Sequence, residues 1–180
     1  MTDAELIVAC KARNSKAQEL LYNRYAGRLM GICTRYGASK EEAQDIFQEA
    51  FIKVFENIDK ITKTELLNAW VKRIVINTAI NHYHQHLKRY TSLPDDYIHI
   101  EPDEQSTKIM DELSHEELLG LIEQLPIGYK IVFNLYAIEG YTHKEIADMM
   151  QTSESNSKNQ YARAKKALQK KLQELNTVKL

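Results

Sequence analysis

What the sequence has little of narrows the field first. Its 180 residues include only two cysteines, three prolines, six glycines and one tryptophan. Cys10 and Cys33 are too few for a disulfide framework and too widely spaced for a metal-ligand motif, so a reduced, cytoplasmic protein is expected. No apolar run approaches the roughly 20 residues of a membrane span. The opening Met-Thr-Asp-Ala-Glu has neither a basic n-region nor an apolar h-region, and no secretory signal is expected. The glycines are isolated, which leaves no phosphate-cradling loop. No nucleophile motif or metal triad appears either. The expectation is a non-enzyme with no cofactor, no metal and no small-molecule substrate.

What is present is hydrophobic and helical. Hydrophobic residues make up 43% of the chain, too many for a disordered one. The length suits one large domain or two small ones. Ala17, Leu20, Leu21, Tyr25, Leu29, Ile32, Cys33 and Tyr36 recur at spacings of three and four, and Gly37 is a plausible stop. Ala43, Ile46, Phe47, Ala50, Phe51, Val54, Phe55 and Ile58 continue the same period. A third helix, about Asn68 to Arg89, is apolar over much of its circumference. Pro94 and Pro102 fall in the polar stretch Tyr90–Leu113, read as a linker. Beyond it, Ser114–Glu117 and Thr142–Glu145 are capping boxes. Pro126 starts a helix running to Glu139 and closed by Gly140. A tight connection at Gln151–Ser153 leads into a terminal helix, Glu154 to Leu175. Only Tyr97–Ile100 hints at a strand. The fold class is all-α: two small helical domains, 1–89 and 114–180, joined by an acidic linker, 90–113, with a helix-turn-helix in the second.

The net charge of −1 hides a strong pattern. Basic and acidic residues number 8 and 8 over 1–58, 6 and 2 over 59–89, 1 and 10 over 90–128, and 9 and 5 over 129–180. Two basic segments flank an acidic one, which suggests nucleic-acid contact at two places or simply solvated helix faces. The terminal helix sharpens the choice. Between Ser155 and Gln173 it carries six basic residues and no acid. A positive helix after a short helix and a three-residue turn fits a DNA-reading helix-turn-helix. Asn156, Lys158, Asn159 and Gln160 can pair with base edges, while Arg163 and Lys166 sit where phosphates would lie. A plain surface helix would mix its charges.

On the middle helix, Arg73, Asn77, Asn81, His84 and Lys88 form one polar stripe, with Trp70, Tyr83 and Tyr90 close by. Charge beside aromatic faces suits single-stranded nucleic acid. A core helix with one wet face would look the same. His82 and His86 share a face and could hold a metal, but no Cys or carboxylate near them in sequence completes a site. On the second helix, Glu42, Asp45, Gln48, Glu49 and Lys53 lie opposite the apolar stripe, as an exposed face or a partner-binding one.

Four of these segments together resemble a known family. Ala43-Gln-Asp-Ile-Phe-Gln-Glu-Ala-Phe51, Trp70-Val-Lys-Arg-Ile-Val-Ile-Asn77, Gly140-Tyr-Thr-His-Lys-Glu-Ile-Ala147 and Lys158 to Leu168 are similar, in order and spacing, to the extracytoplasmic-function (ECF) group of bacterial sigma factors. The resemblance implies a two-domain subunit of RNA polymerase. It makes Asp45, Gln48 and Glu49 contacts to the clamp helices of the β′ subunit. It assigns the loop at about Thr62–Asn68 and the helix bearing Trp70, Arg73, Asn77, Asn81, His84 and Lys88 to reading and melting the minus-ten element, with Asn77 near a flipped base. It assigns the terminal helix to the duplex minus-thirty-five element, with Lys158, Asn159 and Arg163 on its usual contact positions. It further implies an anti-sigma factor, membrane-linked in part of the family. Two positions depart from the family pattern. Gln151 stands where Gly is usual, and Ser155-Asn156-Ser157 replaces Gly-Thr-Val. The alternatives are a conventional helix-turn-helix regulator with a helical sensing or dimerisation domain, and a helical protein-interaction module. The linker carries 7 acidic and 1 basic residue and would either imitate nucleic acid in the polymerase RNA path or act as a solvated tether.

Overall fold

The computed structural model describes residues 1–89 and 115–178. Every regular element among them is helical, and the chain divides into two compact units, Met1–His86 and Leu87–Leu180. None of the described helices is long and apolar enough to cross a membrane. The expected linker at 90–113, the cap at Ser114 and the Tyr97–Ile100 pattern lie outside the described residues.

The first unit holds α1 (Asp3–Lys11), α2 (Ser15–Tyr36), α3 (Lys40–Asn57), two 3₁₀ turns (Ile58–Lys60 and Thr64–Leu66) and α4 (Leu67–Arg89). Helix α1 opens on a reciprocal cap. The Glu5 N–H donates to Thr2 Oγ1, and the Thr2 N–H donates to Glu5 Oε2 at 2.8 Å. Arg13, in the left-handed region at φ 58, turns the chain into α2. The apolar stripes read from the sequence meet in one core. Leu21, Leu29 and Ile32 of α2, Ile46 and Val54 of α3, and Val71, Val75 and Ile76 of α4 are all nearly inaccessible, and α2 packs on α3. Each such side chain contributes about 1.5–3 kcal/mol. Gly37 does follow α2, but in extended conformation (φ −68, ψ 150). A Cβ there would meet the Ala43 backbone nitrogen at 3.0 Å, so glycine serves the close approach of α2 to the first turn of α3.

The second unit holds α5 (His115–Glu123), α6 (Ile127–Phe133), a π-helical turn (Asn134–Ile138), α7 (His143–Met150) and α8 (Glu154–Val178). A continuous helix from Pro126 to Glu139 is what the sequence suggests. Instead Pro126 is the N-cap, and the helix widens at the fully buried Asn134 into the π turn. Gly140, at φ 79, ends it. The Thr142–Glu145 capping box forms. Ser153 Oγ accepts the Asn156 N–H at 3.0 Å and caps α8. Leu121, Ile122, Leu125, Phe133, Ala164, Leu168 and Leu172 make the core of this unit.

Candidate nucleic-acid interface

In the first unit, α4 turns Trp70, Arg73, Asn77 and Asn81 to one side, because spacings of three and four keep residues on one helical face. Arg73, Asn77 and Asn81 are exposed and Trp70 half-buried. Two open concavities flank the Trp70 ring. One, of about 270 Å³, is lined by Ile61, Thr62, Lys63, Leu66 and Arg73 among others. The second, of about 320 Å³, is lined by Lys53, Asn57, Ile74, Asn77 and Asn81. Trp70 and Lys60 line both. The arrangement offers a π-surface, amide groups and cations side by side, the combination that holds unstacked bases and their backbone. His84 lies on the same stripe but is half-buried, with its Nε2 shut off from solvent and its ring 5.8 Å from that of Tyr83. The side chain of Lys88 lies outside the described residues, as does Tyr90. Lys53, Asn57, Lys60 and Lys63 are members of this surface that sequence periodicity did not select. Lys60 and Lys63 were marked only by the excess of basic residues over 59–89 and, for Lys63, by the loop at about Thr62–Asn68; Lys53 stood on the polar face of the second helix, and Asn57 carried no signal.

Helix α3 shows Asp45 and Gln48 to solvent, with Glu49 partly covered. Glu49 has two partners. Its Oε1 lies 2.5 Å from Lys53 Nζ and its Oε2 2.7 Å from His82 Nε2. The Lys53 ammonium first, and the His82 imidazole after it, hold the Glu49 carboxyl below its ordinary value against the opposing effect of burial. His86 Nε2 sits 3.0 Å from Glu42 Oε1. The shared face of His82 and His86 thus meets two carboxylates, which come from α3 and not from nearby sequence. No group of three or more His, Cys, Asp or Glu among the described residues is arranged to hold a metal. Cys33 is buried and its thiol pushed up to about 12 by that burial, so it stays protonated and unreactive.

In the second unit, α8 presents Ser155, Lys158 and Lys166 to solvent on one face, with Asn159 beside them. Lys158 Nζ pairs with Glu154 Oε1 at 2.7 Å, so one complementary acid does arrive, from just outside the basic stretch. Other candidates are held or covered within the unit. Asn156 Nδ2 donates to Thr152 Oγ1 at 2.7 Å. Arg163 reaches Tyr129 Oη at 3.4 Å. The Gln160 Oε1 is buried. Both unusual positions have a local explanation. Gln151 sits in the left-handed region at φ 53, where glycine carries no steric penalty. Ser157 is fully buried, and its hydroxyl lies 3.0 Å from His143 Nδ1. The His143 ring stacks on Tyr136 at 4.2 Å, and Tyr136 leans on Tyr161 at 4.6 Å.

The sigma-70 region 2 model matches residues 21–89, from α2 to the end of α4. The sigma-70 region 4 model matches residues 115–168, from α5 into α8. The ECF RNA polymerase sigma-E factor of Escherichia coli K12 is 30% identical over 97% of this chain and 96% of its own length. The chain belongs to the ECF sigma factors. The RNA polymerase sigma-H factor of Pseudomonas aeruginosa is 28% identical over 96% of this chain and 95% of its own. Two solved structures share the fold. One is CnrH in complex with the cytosolic domain of CnrY, at TM-score 0.50 and 20% identity over 95% of this chain and 97% of that one. The other is the sigma factor RpoE in complex with the anti-sigma factor NepR from Bartonella quintana, at TM-score 0.52 and 15% identity over 86% and 96%. Helix α1 of this sigma factor precedes the region 2 match, and the concavities around Trp70 fall inside it.

Proposed function

We propose that this sigma factor, acting in the cytoplasm, binds core RNA polymerase through Asp45, Gln48 and Glu49 on α3, against the clamp helices of β′. Its N-terminal domain (1–89) captures unstacked non-template bases of the minus-ten element at Trp70, Arg73, Asn77 and Asn81, with His84 and Lys88 further along the strand path. Its C-terminal domain (114–180) holds upstream duplex through α8, with Lys158 and Asn159 towards base edges and Lys166 towards a phosphate. Asn156, Gln160 and Arg163 flank that face. The acidic segment 90–113 joins the two. Neither domain carries out chemistry. Melting is driven by trapping flipped bases, which offsets a few kcal/mol of unstacking per base.

The observation that carries this reading is the pair of concavities around Trp70, ringed by cations and amides. The two solved relatives were each captured with a second protein, one of them named an anti-sigma factor. A corresponding anti-sigma factor is therefore part of the proposal. Run-off transcription with core polymerase tests it: promoter-dependent transcripts should appear only when this protein is added. Transcription no different from core alone defeats the reading.

A further inference from the structure

Two cations from the start of the chain reach across the first unit to the segment that builds the Trp70 surface. Lys11 Nζ, at the end of α1, donates to the Ile61 carbonyl at 2.8 Å in a partly buried setting. Arg13 Nη1 donates to the Phe55 carbonyl at 3.1 Å, and its Nη2 lies 3.5 Å from Asp59 Oδ2. Phe55 is in the last turn of α3, where carbonyls have no partner within the helix and the helix dipole favours a positive charge. Ile61 is where the chain leaves the first 3₁₀ turn. Its side chain is buried, and its neighbours Lys60, Thr62 and Lys63 line the concavity beside Trp70. Helix α1 packs on both 3₁₀ turns, the second of which supplies Leu66 to the same wall. Arg13 holds this position despite φ 58, a backbone conformation that suits glycine better. The side chain is 60% exposed and still reaches both the Phe55 carbonyl and the Asp59 carboxylate.

We infer that Lys11 and Arg13 are positioning residues for strand capture: they fix the segment 55–61, and through it the loop wall of the Trp70 concavity. Helix α1, which lies before the matched region 2, is then part of the promoter-opening apparatus. Neither cation lines either concavity. They act through the Phe55 and Ile61 carbonyls and the Asp59 carboxylate. The inference rests on the proposed role of the Trp70 surface.

The test uses the full-length protein in holoenzyme with core polymerase, and the variants Lys11→Met, Arg13→Gly and Lys11→Arg. Methionine keeps an unbranched apolar stem and removes the donor. Glycine accepts φ 58 without strain and removes the guanidinium. Three quantities are read below the unfolding temperature of every variant: affinity for core, affinity for an upstream duplex, and affinity for a single-stranded minus-ten non-template oligonucleotide across a salt series. The first two should match the parent. Oligonucleotide affinity should fall by roughly fivefold per variant, the effect of about one net hydrogen bond. Its salt slope should stay unchanged, whereas a lost phosphate contact would flatten it by about 0.7. Lys11→Arg, which can still donate to the Ile61 carbonyl, should restore binding. Parent-like oligonucleotide affinity in both Lys11→Met and Arg13→Gly overturns the inference, and so does a flattened salt slope. If the parent holoenzyme itself fails to hold the oligonucleotide, the proposed function of the surface has failed instead.

Discussion

The Ser157 hydroxyl and His143 Nδ1 lie 3.0 Å apart and join α7 and α8, the two helices of the helix-turn-helix. Ser157 has no solvent access, so its hydroxyl must find a partner inside the protein. The imidazole supplies it and is itself held flat on Tyr136. A polar residue in an apolar place is thereby made compatible with a packed core.

Ser157→Ala should lower the stability of the second unit by about 1–2 kcal/mol, because it strands a partly buried imidazole nitrogen. Denaturant titration reads this directly. Ser157→Ala combined with His143→Phe should recover much of the loss, since the double change removes both partners. A double variant that loses the sum of the two single effects would show that the hydrogen bond contributes nothing.

Burial, and then the nearby Lys158 charge, push the His143 imidazole below its ordinary value of 6.5. The unfolded chain therefore binds the proton more readily than the folded one. The corresponding stability is fully present above the unfolded value and is lost as pH falls through the lower folded value. Unfolding free energy followed from pH 7.5 downwards should fall across that window in the parent and flatten there in His143→Asn. Identical pH profiles would remove His143 as the titrating group.

Much of this was legible in the sequence, and the exceptions have physical reasons. The period of three to four located α2 and α3 because each buries one stripe, and α4 was marked by apolar residues over much of its circumference. The Thr142–Glu145 capping box located α7 because it is local. The π turn at Asn134 was not legible, since nothing in the spacing from Ile127 to Ile138 separates it from an α-helix. The carboxylate partners of His82 and His86 were not legible either, because Glu49 and Glu42 lie more than 30 residues away in sequence and meet the histidines only through packing of α3 on α4. The basic residues beside Trp70 were visible as a local excess of charge. Their assignment to a surface needed the first 3₁₀ turn, which carries Lys60, and the segment after it that places Lys63.

On α8, residues of like charge should behave differently. Lys166 is exposed and one of the candidates for a phosphate contact. Lys166→Ala should weaken binding to all duplexes alike and reduce the salt slope by about 0.9. Asn159→Ala should cost about 1–3 kcal/mol at one base position and leave the salt slope intact. Lys158 is paired with Glu154 in the free protein, so Glu154→Gln should raise duplex affinity by releasing it. Holoenzyme binding to a set of single-base promoter variants at several salt concentrations separates the three outcomes. Equal salt slopes for parent and Lys166→Ala would remove Lys166 from the phosphate path.

Glu49 is the candidate polymerase contact with the most to lose inside its own domain, and that allows its two roles to be told apart. Lys53 and His82 hold its carboxyl below the usual range, so its stabilising effect is present above the ordinary value of 4.5 and is lost as pH falls through the lower folded value. The side chain is 40% exposed, which limits the stabilisation to less than about 1 kcal/mol after solvent screening. Glu49→Gln keeps the shape and removes the charge. It should shift the unfolding midpoint only slightly and weaken core-polymerase binding by a much larger factor. Glu42→Gln removes the carboxylate charge that meets His86, and it should give the small stability effect without the binding loss. Asp45→Asn and Gln48→Ala, whose side chains are exposed, should reproduce the binding loss without the stability effect. Equal core affinity for Glu49→Gln and the parent would leave Glu49 as a link between α3 and α4 and shift the docking face to Asp45 and Gln48.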